Sequence, residues 1–502
     1  MTRLARTLMV LGTASDVGKT TVVTGLCRIF ADRGVDVAPF KAQNMARNAY
    51  VCADGSEIGV AQAVQAIAAR KAPCFDHNPI LLKPEPGLTS QVIVHGKPIG
   101  TYHFGALIAQ RSVLLEAVSS SLARLRAQHE LVVIEGAGSP AEVNLQQHDL
   151  PNLATARLAD AEIVLVADID RGGVFASLLG TLELLPADLR PRVRGLIINK
   201  LRGDASILLP GVEFLQARTG LPVLGVIPQL DIALPDEDSV ALARYRKRGR
   251  APLDTLEIVV VDTPALANFE DVTPLLHEPG VHVRLSADAR DVLEADAVVL
   301  LGSKSTVHDL AFVRAREIDR ALGLRAARNQ PILAICGGAQ MLGERIDDPQ
   351  HIESNASTTP ALGLLPIFTR FMQPKVTRSA QGRCLALSDR GTGTPVEGFV
   401  LHFGRLERSA AWSSSGASAA LTLDESGPEG CAVGNTIATM LHRVIDHPET
   451  RASWLALLRA ERGIPAPSAQ PAASDPYDDL AAHLVRALDM PTLSAIALGD
   501  SR

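Results

Sequence analysis

The chain has no surplus of basic residues. Its 49 Lys and Arg against 55 Asp and Glu leave a net charge of −6, so no global cationic surface awaits a nucleic-acid backbone. Any anionic ligand must be met by local charge. Its six cysteines, Cys27, Cys52, Cys74, Cys336, Cys384 and Cys431, form no C-x-x-C pair and no zinc-finger spacing; this reads as a reducing, cytoplasmic compartment. No uninterrupted apolar stretch of about 20 residues is present, so no membrane span is expected. The apolar run after Arg3 and Arg6 ends in a glycine-lysine loop and not in a small-residue cleavage site, which argues against a secretory signal. No internal repeat signals a solenoid. Apolar residues at 47% and charged residues at 21% also exclude disorder for the bulk of the chain.

The 502 residues allow about three domains, or two large ones with a tail. Short apolar runs alternate with helical patterns: Leu8 to Leu11, Leu131 to Ile134, Ile163 to Ala167, Leu196 to Ile198 and Val223 to Ile227 form one series. Ile258 to Val261, Val298 to Leu301 and Ile332 to Ile335 form a second. Buried parallel strands joined by crossover helices have this pattern. Between the series, Pro235 to Thr255 is polar, with an acidic cluster at Asp236, Glu237 and Asp238, and a domain boundary is placed near residue 250. Gly463 to Pro476 reads as a Pro/Ala/Ser linker, and Leu480, Leu484 and Leu488 place one docked helix over Tyr477 to Leu498. The expected fold is α/β: two doubly wound, mostly parallel sheet domains at 1–250 and 251–450, then a linker and C-terminal helix at 451–502.

The segment Gly12-Thr13-Ala14-Ser15-Asp16-Val17-Gly18-Lys19-Thr20 follows a strand and opens a helix with the apolar face Val22, Val23, Leu26, Ile29 and Phe30. Such a loop turns backbone N–H groups toward phosphates, Lys19 reaches the outer ones, and the Thr20 hydroxyl can hold Mg²⁺. Five residues separate the glycines where four are usual. Only nine of the basic residues are lysines, which makes a chance Gly-Lys-Thr less frequent. Mg²⁺ also needs carboxylate oxygen: Glu135 stands at a strand end, where ligands bind in open α/β sheets, and Asp54 lies in the loop 53–57. Asp168, Asp170 and Arg171 form another strand-end group, and Lys41 adds positive charge after a strand at Asp36 to Phe40.

In the second half, Pro331-Ile-Leu-Ala-Ile-Cys336-Gly337-Gly338 reads as strand, sharp turn and helix. That turn exposes the thiol at a helix N-terminus, with the Gly337 N–H facing an oxyanion. A base is needed nearby, with His442 and His402 as options; Gly302 to Thr306 offers a second oxyanion donor. The other cysteines lack this setting. A nucleotide loop and an amide-cleaving thiol on one chain predict coupled chemistry: ATP activates a carboxylate as an acyl phosphate, and glutamine hydrolysed at Cys336 supplies ammonia.

The phosphate loop with Glu135-Gly-Ala-Gly resembles dethiobiotin synthetase. The stretches 38–45, 90–94, 134–142, 166–175, 198–200, 334–338 and 340–343 resemble the cobyric acid synthase family, over about residues 8 to 446. That resemblance implies amidation of the b, d, e and g carboxylates of adenosylcobyrinic acid a,c-diamide, with small-molecule partners only (corrinoid, glutamine, ATP), no nucleic acid and no membrane; a homo-oligomer is left open. It implies ATP and Mg²⁺ as cofactors, with Gly12, Thr13, Asp16, Gly18, Lys19, Thr20, Lys41 and Asn199 as nucleotide contacts and Thr20, Asp54 and Glu135 as metal ligands. It makes Cys336 the nucleophile and His442 its base, in a dyad-like branch where Val444 stands in place of the glutamate of triad enzymes. Lys41, Arg47, Lys83 and Arg171 are the expected cations for the polyanionic substrate. The chain departs from the family pattern at Leu301, Ala339, Val400, Ala438, Met440 and Arg443, which puts glutamine use in question. A related amidoligase, or a partitioning-type ATPase switch with a decayed thiol domain, are the competing readings; the signature lysine of the latter is replaced by Thr13 and Ala14. No Asp-x-His-x-x-Gly cobalt-binding signature is present, so the corrinoid is expected as substrate and not as a held cofactor.

Overall fold

The structure, a computed structural model, describes residues 4–46, 48–85, 88–230, 245–246, 248–252, 254–387, 392–465 and 475–499. Arg47 and the acidic cluster at 236–238 lie outside the described residues. The chain divides into two compact units, the first comprising 1–52, 56–235 and 472–502 and the second 53–55 and 236–471.

In the first unit, β1 (Arg6–Gly12), β2 (Val37–Phe40), β3 (Leu131–Glu135), β4 (Glu162–Asp168), β5 (Val193–Leu201) and β6 (Val223–Pro228) form one parallel sheet in the order β6-β5-β4-β1-β3-β2. All five runs expected from the first series are in it. Their continuous apolar character follows from burial on both faces. Leu8 and Val10 of β1 pack with α1 (Lys19–Asp32), while Met9 and Leu11 face the opposite core. The loop between β1 and α1 thus emerges at the carboxyl edge of a central strand, where open α/β sheets bind ligands.

The C-terminal segment forms two helices, Pro476–Ala487 and Met490–Leu498, where the leucine spacing predicts one. Pro491 lacks the N–H that a continuing helix needs, and Asp489 caps the second helix by accepting from the Thr492 N–H. Leu480, Leu484, Leu488 and Leu493 join the core beneath α1. The approach is so close that a Cβ on Gly25 would lie 2.2 Å from Leu484 Cδ1.

In the second unit, β7 (Leu256–Val261), β8 (Val281–Ser286), β9 (Ala297–Leu300), β10 (Ile332–Ile335), β13 (Cys431–Val433) and β14 (Thr436–Thr439) form a sheet ordered β8-β7-β9-β10-β14-β13. It is parallel except for the β13–β14 pair. A long antiparallel hairpin, β11 (Ile367–Cys384) with β12 (Thr394–Arg408), builds a further sheet that the sequence reading did not anticipate. The helix Pro448–Arg462, most of which the sequence reading gave to the tail, buries Trp454, Leu455 and Leu458 in this unit's core.

Candidate active sites

The phosphate loop is shaped by two left-handed residues, Asp16 (φ 57°) and Gly18 (φ 95°), immediately before α1. Glycine adopts the second at no steric cost, and a side chain there would strike the Asn199 amide. Asn199 Nδ2 in turn donates to the Val17 carbonyl at 2.9 Å, fixing the loop from β5. Lys19 is buried, its Nζ donating to the carbonyls of Ala14 and Gly138 at 2.9 Å each. Those acceptors place the ammonium inside the concave face of the loop. Thr13 differs from expectation: its N–H donates to the Val166 carbonyl, so it extends the sheet and is not left to face a phosphate.

Glu135 ends β3 and is 1% exposed. Its Oε1 accepts from Thr20 Oγ1 at 2.8 Å and from Lys41 Nζ at 2.9 Å, and its Oε2 accepts from Gln65 Nε2 of α2 (Val60–Ala68). Burial alone would raise this carboxyl; the Lys41 ammonium, with the bonds from Gln65 and Thr20, holds it below the ordinary carboxylate range. Two oxygens on neighbouring corners of a Mg²⁺ octahedron, with bonds of about 2.1 Å, stand about 3 Å apart, which the Thr20–Glu135 spacing fits. Among the described residues no group of three or more His, Cys, Asp or Glu could hold a metal by itself. A Mg²⁺ here would draw further ligands from nucleotide and water.

Asp54 is exposed in the turn between the short strands Tyr50–Val51 and Glu57–Ile58. Lys83, expected to meet a polyanion, is fully buried in an ion pair with Glu57. Lys41 is likewise committed to Glu135. Arg171 is half exposed and pairs with Asp16 at 2.7 Å and Asp168 at 3.5 Å, and Lys200 lies 3.1 Å from Asp168, forming a charged rim beside the loop.

In the second unit, Cys336 sits between β10 and a short helix, Gly337–Leu342, at φ 52° and ψ −109°. That is left-handed backbone for a non-glycine residue, held because the Cys336 N–H donates to the Thr439 carbonyl and its carbonyl accepts from Gln340. A Cβ on Gly337 would lie 2.6 Å from the Ser303 nitrogen, so only glycine lets the Gly302–Ser303 loop close over the thiol turn.

His442 is 1% exposed, stacks on Phe399 at 4.9 Å between centroids, and donates from Nδ1 to Asp271 Oδ2 at 2.8 Å. Asn268 Nδ2 lies 3.1 Å from both ring nitrogens. Burial alone would lower the imidazole; the Asp271 carboxylate and then Cys336 overcome it and push it up to about 10. Of the two base options, the structure brings His442 to Cys336. His402 is pushed down to about 3 by burial and nearby positive charge, and its Nδ1 is buried without a partner.

Asp271 was missed from sequence because it precedes His442 by 171 residues on the 3₁₀ segment Phe269–His277. The local signal was Asn268-Phe-Glu-Asp271, which spacing alone cannot tell from an acidic helix start. Where a dyad is expected from Val444, a carboxylate supplied from elsewhere in the fold, Asp271, stands against His442.

The departures from the family pattern are accommodated. Leu301, Ala339, Val400, Ala438 and Met440 lie in the hydrophobic core. Arg443, where the pattern has glycine, adopts φ 64°, and its N–H donates to Asp271 Oδ1 at 2.7 Å while its Nε donates to Asp446 at 2.6 Å. These bonds offset the left-handed backbone.

Residues 8–239 match the family described as the CobQ/CobB/MinD/ParA nucleotide binding domain, and residues 257–450 match the CobB/CobQ-like glutamine amidotransferase domain. A cobyric acid synthase of Sorangium cellulosum is 46% identical over 99% of this chain and 100% of its own length. Those of Desulforudis audaxviator and Moorella thermoacetica are 45% and 41% identical, over 93% and 98% of this chain and 93% and 97% of theirs. The chain belongs to the cobyric acid synthase family. It is a glutamine-dependent, ATP-driven amidoligase of cobalamin biosynthesis, with the nucleotide site in its first unit and the glutaminase in its second. No helix among the described residues is long and apolar enough to cross a membrane.

Proposed function

We propose that the protein converts adenosylcobyrinic acid a,c-diamide to adenosylcobyric acid by amidating its b, d, e and g carboxylates, using ATP, Mg²⁺ and glutamine in the cytoplasm. The observation that carries this reading is one chain holding both halves of the chemistry: Lys19, Thr20 and Glu135 about a phosphate loop, and Cys336, His442 and Asp271 about a thiol turn.

At the second site, Cys336 Sγ attacks the glutamine carboxamide carbon. His442 takes the thiol proton and gives it to the departing nitrogen as the C–N bond breaks, releasing ammonia, and water later hydrolyses the thioester to glutamate and free thiol. Asp271 keeps the imidazole in one orientation and stabilises its protonated form, the role of the carboxylate in a hydrolytic triad. The N–H groups of Gly337 and Ser303 are the proposed oxyanion donors.

At the first site, Lys19 and the loop N–H groups hold the ATP phosphates, with Gly12, Asp16, Gly18 and Asn199 shaping the loop and Thr13 fixing its strand edge. Mg²⁺ would be held by Thr20 and Glu135, neutralising phosphate charge when bound. Lys41, ion-paired with Glu135 at 2.9 Å, would bring its charge beside the transferred phosphoryl group or the reacting carboxylate. Asp54, in the turn at 53–57, is the second carboxylate proposed for the metal.

Mass spectrometry of the corrinoid after incubation with ATP, Mg²⁺ and glutamine tests the reading. Four successive exchanges of carboxyl OH for NH₂ are expected; a corrinoid left unchanged by an active, ATP-consuming protein would overturn the substrate assignment.

A further inference from the structure

Helix α2 carries two glutamines on one face, Gln62 and Gln65, both fully buried. Residues three apart on a helix are neighbours. Gln65 spends its Nε2 on Glu135, yet its Oε1 has no partner, and neither Gln62 Oε1 nor Gln62 Nε2 has one. A buried amide left unpaired costs about 1–3 kcal/mol per group, so three such atoms beside the nucleotide site need an explanation. Gly59 lets the backbone pack close against them: a Cβ there would lie 2.3 Å from Asn44 Nδ2 and 2.5 Å from Gln62 Oε1, so both amides converge on this point. The nearby carboxylates are already paired, Glu135 with Lys41 and Glu57 with Lys83. What remains is a neutral cradle with two free acceptors and one free donor. A cation gains little there, and an anion would face carbonyl oxygens. Ammonia, with three N–H groups and one lone pair, matches it.

We propose that the Gln62–Gln65 face of α2, with Asn44, is the ammonia-binding site of the synthetase unit. The inference rests on the amidoligase reading above. Ammonia held there attacks the acyl phosphate. A C–N bond forms, the C–O bond to phosphorus breaks, phosphate leaves with the electron pair, and one N–H proton passes to the departing phosphate.

The test is steady-state amidation of the corrinoid with ammonium chloride and ATP, comparing the native chain with Gln62→Leu and the length-conserving Gln62→Met. The proposal expects KM for ammonia to rise about tenfold or more while KM for corrinoid and for ATP stays native, and more glutamate to be released per amide when glutamine is the donor. A native ammonia KM in a folded variant would mean the cradle holds water only and would overturn the proposal, as would a rise in corrinoid KM in its place. The native protein gives a second reading that needs no variant. For a site that takes neutral ammonia, KM in total ammonium falls about tenfold per pH unit while ammonium predominates, and a pH-independent KM overturns the proposal. If the native chain amidates from neither donor, the amidoligase reading itself fails.

Discussion

Asp271 Oδ2 accepts a hydrogen bond of 2.8 Å from His442 Nδ1, and Asp271 Oδ1 accepts one of 2.7 Å from the N–H of Arg443. One carboxylate thus fixes both the imidazole and the left-handed backbone that follows it. Asp271→Asn should lower glutamine hydrolysis by about 10²- to 10⁴-fold while amidation from ammonium persists. The sign of the accompanying pH effect follows from the raised imidazole. Stability from its protonated form is complete below the ordinary histidine value of about 6.5 and is lost as pH rises through about 10. NMR titration of His442 should show its transition moving down in the variant, and an unmoved transition would contradict the pairing.

Glu135 is the acceptor for Thr20, Lys41 and Gln65 together. Glu135→Gln leaves the Lys41 ammonium buried without its counter-charge, a change that costs about 3–5 kcal/mol when a buried pair is broken. Amidation should fall by at least about 100-fold with either nitrogen donor, since the loss lies in carboxylate activation. Parallel assays with glutamine and ammonium check this, and a defect confined to glutamine would contradict the placement.

Glu270, next to Asp271, is pushed up to about 8 by burial and then by the Asp271 charge, and both its oxygens lack partners. A carboxyl raised on folding gives stability that is full below about 4.3 and drains away as pH climbs toward 8. Glu270→Gln should therefore gain most above neutrality, by about 1 kcal/mol or about 2–4 °C in melting temperature. Thermal melts at pH 5 and pH 9 measure the difference; an equal shift at both would argue against the titration.

Gly398 lies where a Cβ would come within 1.9 Å of the His442 carbonyl. Backbone cannot rotate away as a side chain can, so Gly398→Ala should displace His442 and cost about 1–3 kcal/mol. A melting curve and a glutaminase assay on the same sample should both fall, with ammonium-dependent amidation retained.

The parallel strands were legible because burial on both faces leaves continuous apolar runs, as in Leu131–Glu135 and Ile163–Ala167. The phosphate loop and thiol turn were legible because glycine punctuates each strand end. What escaped the reading depends on contacts distant in sequence. Asp271 reaches His442 from a 3₁₀ segment, the β11–β12 hairpin lacks the apolar continuity of buried strands, and Lys83 looks like a surface cation until Glu57 is found beside it. The C-terminal pair reads as one helix because the leucine period continues through Leu488, whereas Pro491 stands at the start of a second helix.

The central claim is that ammonia made at Cys336 is used at Glu135's site in the same chain. It is tested most directly by measuring corrinoid amidation by Cys336→Ala with glutamine and, separately, with ammonium. The account predicts no product from glutamine and near-native product from ammonium. Equal activity of the variant and the native protein with glutamine, or loss of both activities in a folded variant, would contradict it.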